Sequence, residues 1–350
     1  MDFSIAAILS QDGLTNGAIY ALVAMALVLV FSVTRVIFVA QGEFVAFSAI
    51  TMAALQTGQF PSIVWLLIGL GLCTFLVDVG VALWTAKRGR STSVHSMLSS
   101  LALNVVLPLL LLGLLKAVKL QDAGLLVHLL LTTALVLPMG PMVYRLAFQP
   151  AAEASVLVLL IIAVGVHFVL MGLGLLSFGP EGVRALPLTE TQWSWGEVTL
   201  SGQNLLVMLA SIVLIGVLYL LFGHTLTGKA LRATAINRTG ARLMGIAPTA
   251  SGRLAFVLAT LMAVLAGVLI GPLTTVQYDT GFLIALKGFV AAIVGGLASY
   301  PLAALGAVLV GLIESFGSFW ASAYKEVIVF TLIIPVLLWR SMSSSHLEEE

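Results

Sequence analysis

Residues 223–230, GHTLTGKA, put Gly223, Gly228 and Lys229 at the spacing of a nucleotide-binding phosphate loop. That chemistry needs backbone N–H groups on phosphate and a closing hydroxyl on Mg²⁺, and the last position here is Ala230, which has no hydroxyl. A working loop also leaves a buried strand and opens a helix, whereas residues 204–222, NLLVMLASIVLIGVLYLLF, are an apolar run of membrane length. The spacing alone therefore carries no ATP chemistry.

The other chemically expensive residues are charges inside apolar runs, each costing at least ~2.5 kcal/mol for Asp, Lys or Arg at mid-bilayer. Glu43 stands in AQGEF beside Gln41 and Gly42, where a helix can bend or a backbone can approach a ligand. Lys287 in ALKGF and Glu314 in GLIES are similarly placed, and charge and depth allow Glu43 and Lys287 to pair across the bundle or each to snorkel from a helix end. Asp78, central to LGLCTFLVDVGVALW, calls for a Ser, Thr or Lys on a neighbouring helix. His95, His128 and His167 lie in apolar surroundings and are expected to be hydrogen-bonded structural histidines rather than proton relays. The 5 histidines form no metal-ligand spacing, and the 1 cysteine, Cys73, excludes disulfides and Cys-based metal sites within the chain. No span pairs a nucleophile with a base, so neither an enzyme nor a cofactor is expected. A net charge of +1 gives no sign of nucleic acid.

The elements that must position these residues follow from composition. With 60% apolar and 9% charged residues and a mean hydropathy of +1.14, the chain is expected to be an all-α polytopic membrane protein, one transmembrane domain over 1–350. Apolar stretches near 14–34, 37–57, 62–86, 94–117, 123–147, 155–178, 203–226, 254–277, 281–298, 301–320 and 326–340 predict about 10–11 transmembrane helices, with a half-crossing possible near Gly295, Gly296 and Pro301. Residues 227–253 hold Lys229, Arg232, Arg238, Arg242 and Arg253 without an acid, which predicts a cytoplasmic loop. Alternation puts Arg35, Lys87, Arg88, Arg90 and Arg145 on the same side, residues 179–202 outside, the amino terminus outside and the carboxyl terminus in the cytoplasm. No basic leader precedes the apolar start, so a cleaved signal peptide is not expected. In the outer loop Trp193, Trp195, Val198 and Leu200 have the spacing of one face of a hairpin, suited to an interfacial anchor or to docking an external partner. Gly306, Gly311 and Gly317 predict close helix contacts, and the polar tail 341–350 carries no expected function.

Residues 228–246, GKALRATAINRTGARLMGI, resemble the cytoplasmic loop of LivH-type permeases, the membrane subunits of branched-chain amino-acid ABC importers. The resemblance continues through the block at 271–315 (GPLTTVQYDTGFLIALKGFVAAIVGGLASYPLAALGAVLVGLIES), through NGAIYALVAMALVLVFSVTRVIFVAQGEF at 16–44 and through VYRLAFQP at 143–150. It departs at Gln41, where such permeases usually have His, at Thr239 and Gly240, where they often have an acid and alanine, and in length. Residues 87–140 look like an insertion of about two extra spans, since only an even number keeps later loops on their proper sides.

The resemblance implies an ABC importer permease fold and a transport subunit of a bacterial inner membrane that catalyses nothing itself. It implies, as partners, a second homologous permease subunit, two cytoplasmic ATP-binding subunits, an external substrate-binding protein, membrane lipid and an amino-acid substrate. The 227–253 loop then becomes the coupler. Ala230, Ala233, Ala235 and Ala241 would permit close approach to the ATPase, Arg232, Arg238 and Arg242 would form a basic rim, and Gly245 followed by Pro248 would end the helix. Read from the residues alone, the same loop serves as a plain positive-inside anchor. Gln41, Gly42, Glu43, Lys287 and Glu314 are the candidates for the translocation path. The rival reading is an ion-gradient-driven secondary transporter of amino acids or small amides, which uses the buried carboxylates but leaves the basic loop without a task.

Overall fold

The computed structural model describes residues 3–88, 94–195, 198–297 and 299–344, which are almost entirely helical. Arg90, Glu197 and residues 345–350 of the polar tail lie outside the described residues. Helices are what an apolar chain must form in hydrocarbon, because each backbone N–H and C=O has to be paired within its own segment. Among the described residues, 8 helical stretches are long and apolar enough to cross a membrane: Ser4–Thr34, Ile63–Lys87, Val94–Ala117, Leu125–Phe148, Val156–Phe178, Gly202–His224, Pro248–Ile270 and Tyr300–Leu338. The chain is a multi-pass, all-α membrane protein.

Helix α1 (Phe3–Thr34) is the axis of the bundle, buried on every side from Ile19 to Val30 and packed against α14 (Tyr300–Ala321), α12 (Pro248–Ile270), α13 (Thr280–Val294) and α9 (Gly202–His224). A helix that is apolar all round needs such a position or lipid. Helices α8 (Val156–Phe178) and α9 take the second option and bury only a few of their side chains. The contact between α1 and α14 is made by backbone: a Cβ added at Gly17 would lie 2.8 Å from the Val308 Cα, and Gly311 is seated against Gly13 and Gly17. Gly306 meets Ala291 and Val294 of α13 in the same way, while Gly317 faces Ile328 more loosely.

Three expected spans are shorter than the apolar runs that suggested them. Helix α2 (Gln41–Gln56) has 16 residues, about 24 Å, against the ~30 Å of a hydrocarbon core. The missing length is the non-helical stretch 36–40, in which Val36, Phe38, Val39 and Ala40 are buried under neighbouring helices, and irregular backbone is tolerated at such depth only there. Helix α12 stops at Ile270 rather than near 277, the chain turns back through a bridge between Val183 and Val276, and α13 has 15 residues. The stretch at 326–340 is two helices, α15 (Lys325–Thr331) and α16 (Ile333–Ser344), because Pro335 has no N–H to give to the carbonyl of Thr331.

In the insertion, α4 (Val94–Leu101) runs through a π-helical turn (Ala102–Val106) into α5 (Leu107–Ala117), and α6 (Leu125–Val136) returns through α7 (Met139–Val143) to a second such turn (Tyr144–Phe148). Val94–Ala117 and Leu125–Phe148 are each long and apolar enough to cross a membrane. At one end of the bundle, Gln56 exchanges hydrogen bonds with the backbone of Leu186 (2.8 and 3.3 Å) and Arg184 donates to the carbonyls of Pro272 and Leu273 (2.8 and 3.2 Å). A hairpin of β1 (Gln192–Trp195) and β2 (Val198–Ser201) sits there, pairing Trp193 with Leu200 and Trp195 with Val198 as the spacing predicts.

Candidate functional site

At the opposite end, α9 stops at His224 and the hydroxyl of Thr225 accepts from the N–H of Gly228 (3.0 Å), capping α10 (Leu226–Ile236). Gly228 is small because its backbone rests on Leu221; the segment 223–230 is a helix, a cap and a second helix, with no strand before it. Leu231 of α10 docks into Leu29, Val33, Phe222 and Ala255. Asn237 then caps α11 (Arg238–Leu243) through the N–H of Gly240 (2.9 Å). The stop has the expected form: Gly245, at φ +80°, donates to Arg242 (3.0 Å) and Ile246 donates to Ala241 (2.9 Å), the paired bonds of a left-handed helix end. Pro248 opens α12 rather than merely ending α11.

Two expected coupling residues face the wrong way for that task. Arg238 reaches into the bundle, giving Nε and Nη2 to the carbonyl of Val33 (3.3 and 2.9 Å) and Nη1 to that of Ala152 (3.1 Å), because the ends of α1 and of the 148–153 turn leave carbonyls without helical partners. Burial lowers its pKa from the ordinary arginine value, with Arg35 and Arg242 acting in the same direction against Tyr144. It is an anchor of the segment, not a rim. Ala241 is 4% exposed, packed beneath α11, so no partner can approach it. Ala230 and Ala233 are half-buried, and Arg232, Arg242 and Gly245 are exposed. Sequence reasoning missed the residues that project furthest: Leu226, Ile236, Leu243 and Met244 are all more than four-fifths exposed, at 85%, 85%, 83% and 81%. Large apolar side chains inside a basic loop were the available signal.

Deeper in the bundle, Lys287 Nζ lies 2.6 Å from Glu314 Oε1 and 3.1 Å from Glu326 Oε1, and Tyr20 donates its hydroxyl to Glu314 Oε2 at 2.6 Å. The pair expected between Glu43 and Lys287 does not form, and Lys287 does not snorkel, because the buried Glu314 of α14 and the partly exposed Glu326 of α15 hold its ammonium inside the bundle. Lys287 and Glu314 instead line a cavity of about 540 Å³ between α1, α9, α12, α13 and α14. Its mouth carries Asp12, Asn204 and Thr274 near the hairpin end, and its wall carries Ile270, Leu273, Leu283 and Ile284. One wall thus offers a cation and a carboxylate side by side, the other branched aliphatic carbons.

Gln41, Gly42 and Glu43 lie outside this lining. Glu43 Oε1 is 2.8 Å from Nδ1 of His167, fastening α2 to α8, and the His167 ring stacks on Phe282 at 4.4 Å. Gly42 approaches the backbone of Gly281 rather than a ligand, and Gln41, fully buried, has no hydrogen-bond partner for either side-chain polar atom among the described residues. Of the other histidines, His128 holds the carbonyl of Leu120 (2.9 Å) as expected, whereas His95 is exposed. Asp78 finds the hydroxyl expected of it, Ser100 (2.5 Å), and also Arg145 (2.7 Å). No group of three or more His, Cys, Asp or Glu that could hold a metal occurs among the described residues.

The family model for the branched-chain amino acid transport system permease component matches residues 10–337. The chain is 32% identical over 213 residues to the high-affinity branched-chain amino acid transport system permease protein BraD of Pseudomonas aeruginosa, covering 57% of this chain and 68% of that protein. It is 32% identical over 206 residues to the permease protein LivH of Escherichia coli, covering 57% of this chain and 67% of LivH. A probable LivH of Methanocaldococcus jannaschii is 36% identical over 135 residues, 36% of this chain and 42% of the relative. No solved structure matches the chain. With the family model matching nearly its whole length, the chain belongs to the permease components of branched-chain amino acid transport systems.

Proposed function

We propose that this chain is the permease subunit of an ATP-driven importer of branched-chain or related hydrophobic amino acids, working in a bacterial inner membrane with a second, similar permease, two cytoplasmic ATPases and an external binding protein. The observation that carries the reading is the 540 Å³ cavity. A branched-chain amino acid is a zwitterion with an aliphatic side chain. Lys287 suits its carboxylate, Glu314 suits its ammonium, and Ile270, Leu273, Leu283 and Ile284 suit its carbon tail. Entry is from the hairpin end, which is the outer one on the charge asymmetry of the loops. Alternating access moves the helices around this point, and α10 with α11, held to α1 by Arg238, carries motion from the ATPases.

The test is reconstitution of the four membrane and cytoplasmic subunits in liposomes with the binding protein outside. Leucine uptake is expected to need internal ATP and the binding protein, and to persist when a protonophore collapses the ion gradients. The buried pair Glu43–His167 is the feature that favours a proton-coupled carrier instead. Uptake by this chain alone, driven by a pH gradient and abolished by the protonophore, would establish that alternative.

A further inference from the structure

A second polar cavity, separate from the first, lies beside the 94–106 segment. About 370 Å³ in volume, it lies between α3 (Ile63–Lys87), α4, the π-helical turn 102–106, the end of the 125–148 span and the first turns of α12. A single polar chain runs through it: Arg145 Nε donates to Asp78 Oδ1 (2.7 Å), Ser100 donates to Asp78 Oδ2 (2.5 Å), and Asn104 Nδ2 donates to Ser100 Oγ (3.0 Å). The π-helical turn sets Asn104 there, and it seats its carbonyl on Gly71 of α3, where a Cβ would collide with it. Such turns often mark functional positions.

The cluster is not a closed structural ion pair. The Asp78 and Arg145 side chains are 23% and 24% exposed, and among the described residues the terminal nitrogens of Arg145 make no hydrogen bond. Arg253, exposed on the cavity rim, has no ion pair among the described residues. A carboxylate has about four acceptor positions, of which Asp78 uses two here. The cavity therefore presents free guanidinium donors beside a carboxylate with spare acceptors. Guanidinium groups recognise planar oxyanions in pairs, and the carboxylate suits an ammonium. The volume lies within the range of small-molecule sites.

We propose that this cavity is a second amino-acid site, in which a zwitterion places its ammonium against Asp78 and its carboxylate between Arg145 and Arg253. It rests on the reading above for the substrate class and for the side of the membrane. The rim residues Thr85, Gln149 and Arg253 lie at the end that bears the basic segment, so the site samples solute after import rather than before it. The depth order argues against a lipid head group: Asp78 lies further along α3 from the rim than Thr85, so the amine is inside and the anion outside, the reverse of an aminophospholipid in its leaflet. Occupancy ties α3 and α4 to the first turns of α12, directly after the coupling helix α11, which gives imported solute a grip on the coupling segment.

The experiment is equilibrium binding of radiolabelled leucine to the purified full chain in nanodiscs. A binding component is expected to survive Lys287→Met/Glu314→Leu, which disables the transport cavity without leaving a buried charge unpaired, and to weaken about tenfold in Arg253→Gln, the loss of one charged hydrogen bond. The double variant Asp78→Asn/Arg145→Gln, neutral on both sides of the pair, should lose it as well, with thermal unfolding followed to separate lost binding from lost fold. No component surviving Lys287→Met/Glu314→Leu, with the unfolding midpoint kept, would place all binding in the transport cavity and overturn this proposal while leaving the permease reading intact. Equal binding of 4-methylpentanoate or isopentylamine, each lacking one charge, would overturn the zwitterion assignment. Displacement by phosphatidylethanolamine but not by leucine would make the occupant a lipid and overturn it too.

Discussion

Lys287 is the residue on which the first cavity turns, and its removal separates two roles. Lys287→Met leaves Glu314 and Glu326 facing each other without a cation, and breaking a buried pair from one side costs about 3–5 kcal/mol. The double variant Lys287→Met/Glu314→Leu removes both buried charges, and such replacements are often close to neutral. Thermal unfolding should therefore fall in the single variant and recover most of the loss in the double, while leucine uptake by the reconstituted complex is absent from both. Uptake restored along with stability would make the pair a structural clip. The sequence nominates these charges because each is expensive in hydrocarbon, yet neither alternative it offers for Lys287, a pair with Glu43 or snorkelling, is the one observed. Partner choice depends on how helices are rotated against one another, and Glu43 meets His167 from 124 positions away while Lys287 meets Glu314 from 27. No pattern along the chain encodes that rotation.

Helices α10 and α11 show which element-scale features are written locally. The Gly245 stop is legible because its bonds join residues three to five apart, and the caps at Thr225 and Asn237, which the sequence reading passed over, are equally local. The facing of α11 is not, since it is set by Ala241 sinking against the bundle and Arg238 hooking Val33 and Ala152. The consequence for coupling is testable. Leu243→Ser and Met244→Ser remove exposed apolar groups and should change stability by no more than about 0.5 kcal/mol, whereas Ala241→Trp overfills a packed site at a cost of about 1–3 kcal/mol. Co-purification of the ATPases with the Ser variants should fall with the unfolding midpoint unchanged. In Ala241→Trp the midpoint should fall. Full ATPase retention and uptake in the Leu243→Ser/Met244→Ser double variant would reduce the segment to a positive-inside anchor.

For the molecule as a whole, hydropathy finds the apolar stretches but overstates the length of α2 and α13, because burial under neighbouring helices excuses both from spanning the hydrocarbon alone. Gln56 reaches the 183–203 segment at one end, and Val33 and Ala152 meet the basic segment at the other. Orientation depends on which end is cytoplasmic, and the proposal that it is the end with Lys229, Arg232, Arg238, Arg242 and Arg253 rests on their acid-free cluster. Single cysteines read the answer directly once Cys73, exposed on α3, is replaced by alanine. Arg238 is unsuitable as a reporter because its side chain is committed to two carbonyls; Thr249 and Thr191, both exposed, are free of such duties to the bundle interior. In intact cells a membrane-impermeant maleimide should label Thr191→Cys and spare Thr249→Cys until the membrane is permeabilised. The opposite pattern would invert the chain in the membrane, turn the mouth of the Lys287 cavity toward the cytoplasm and leave the basic segment with no ATPase to meet.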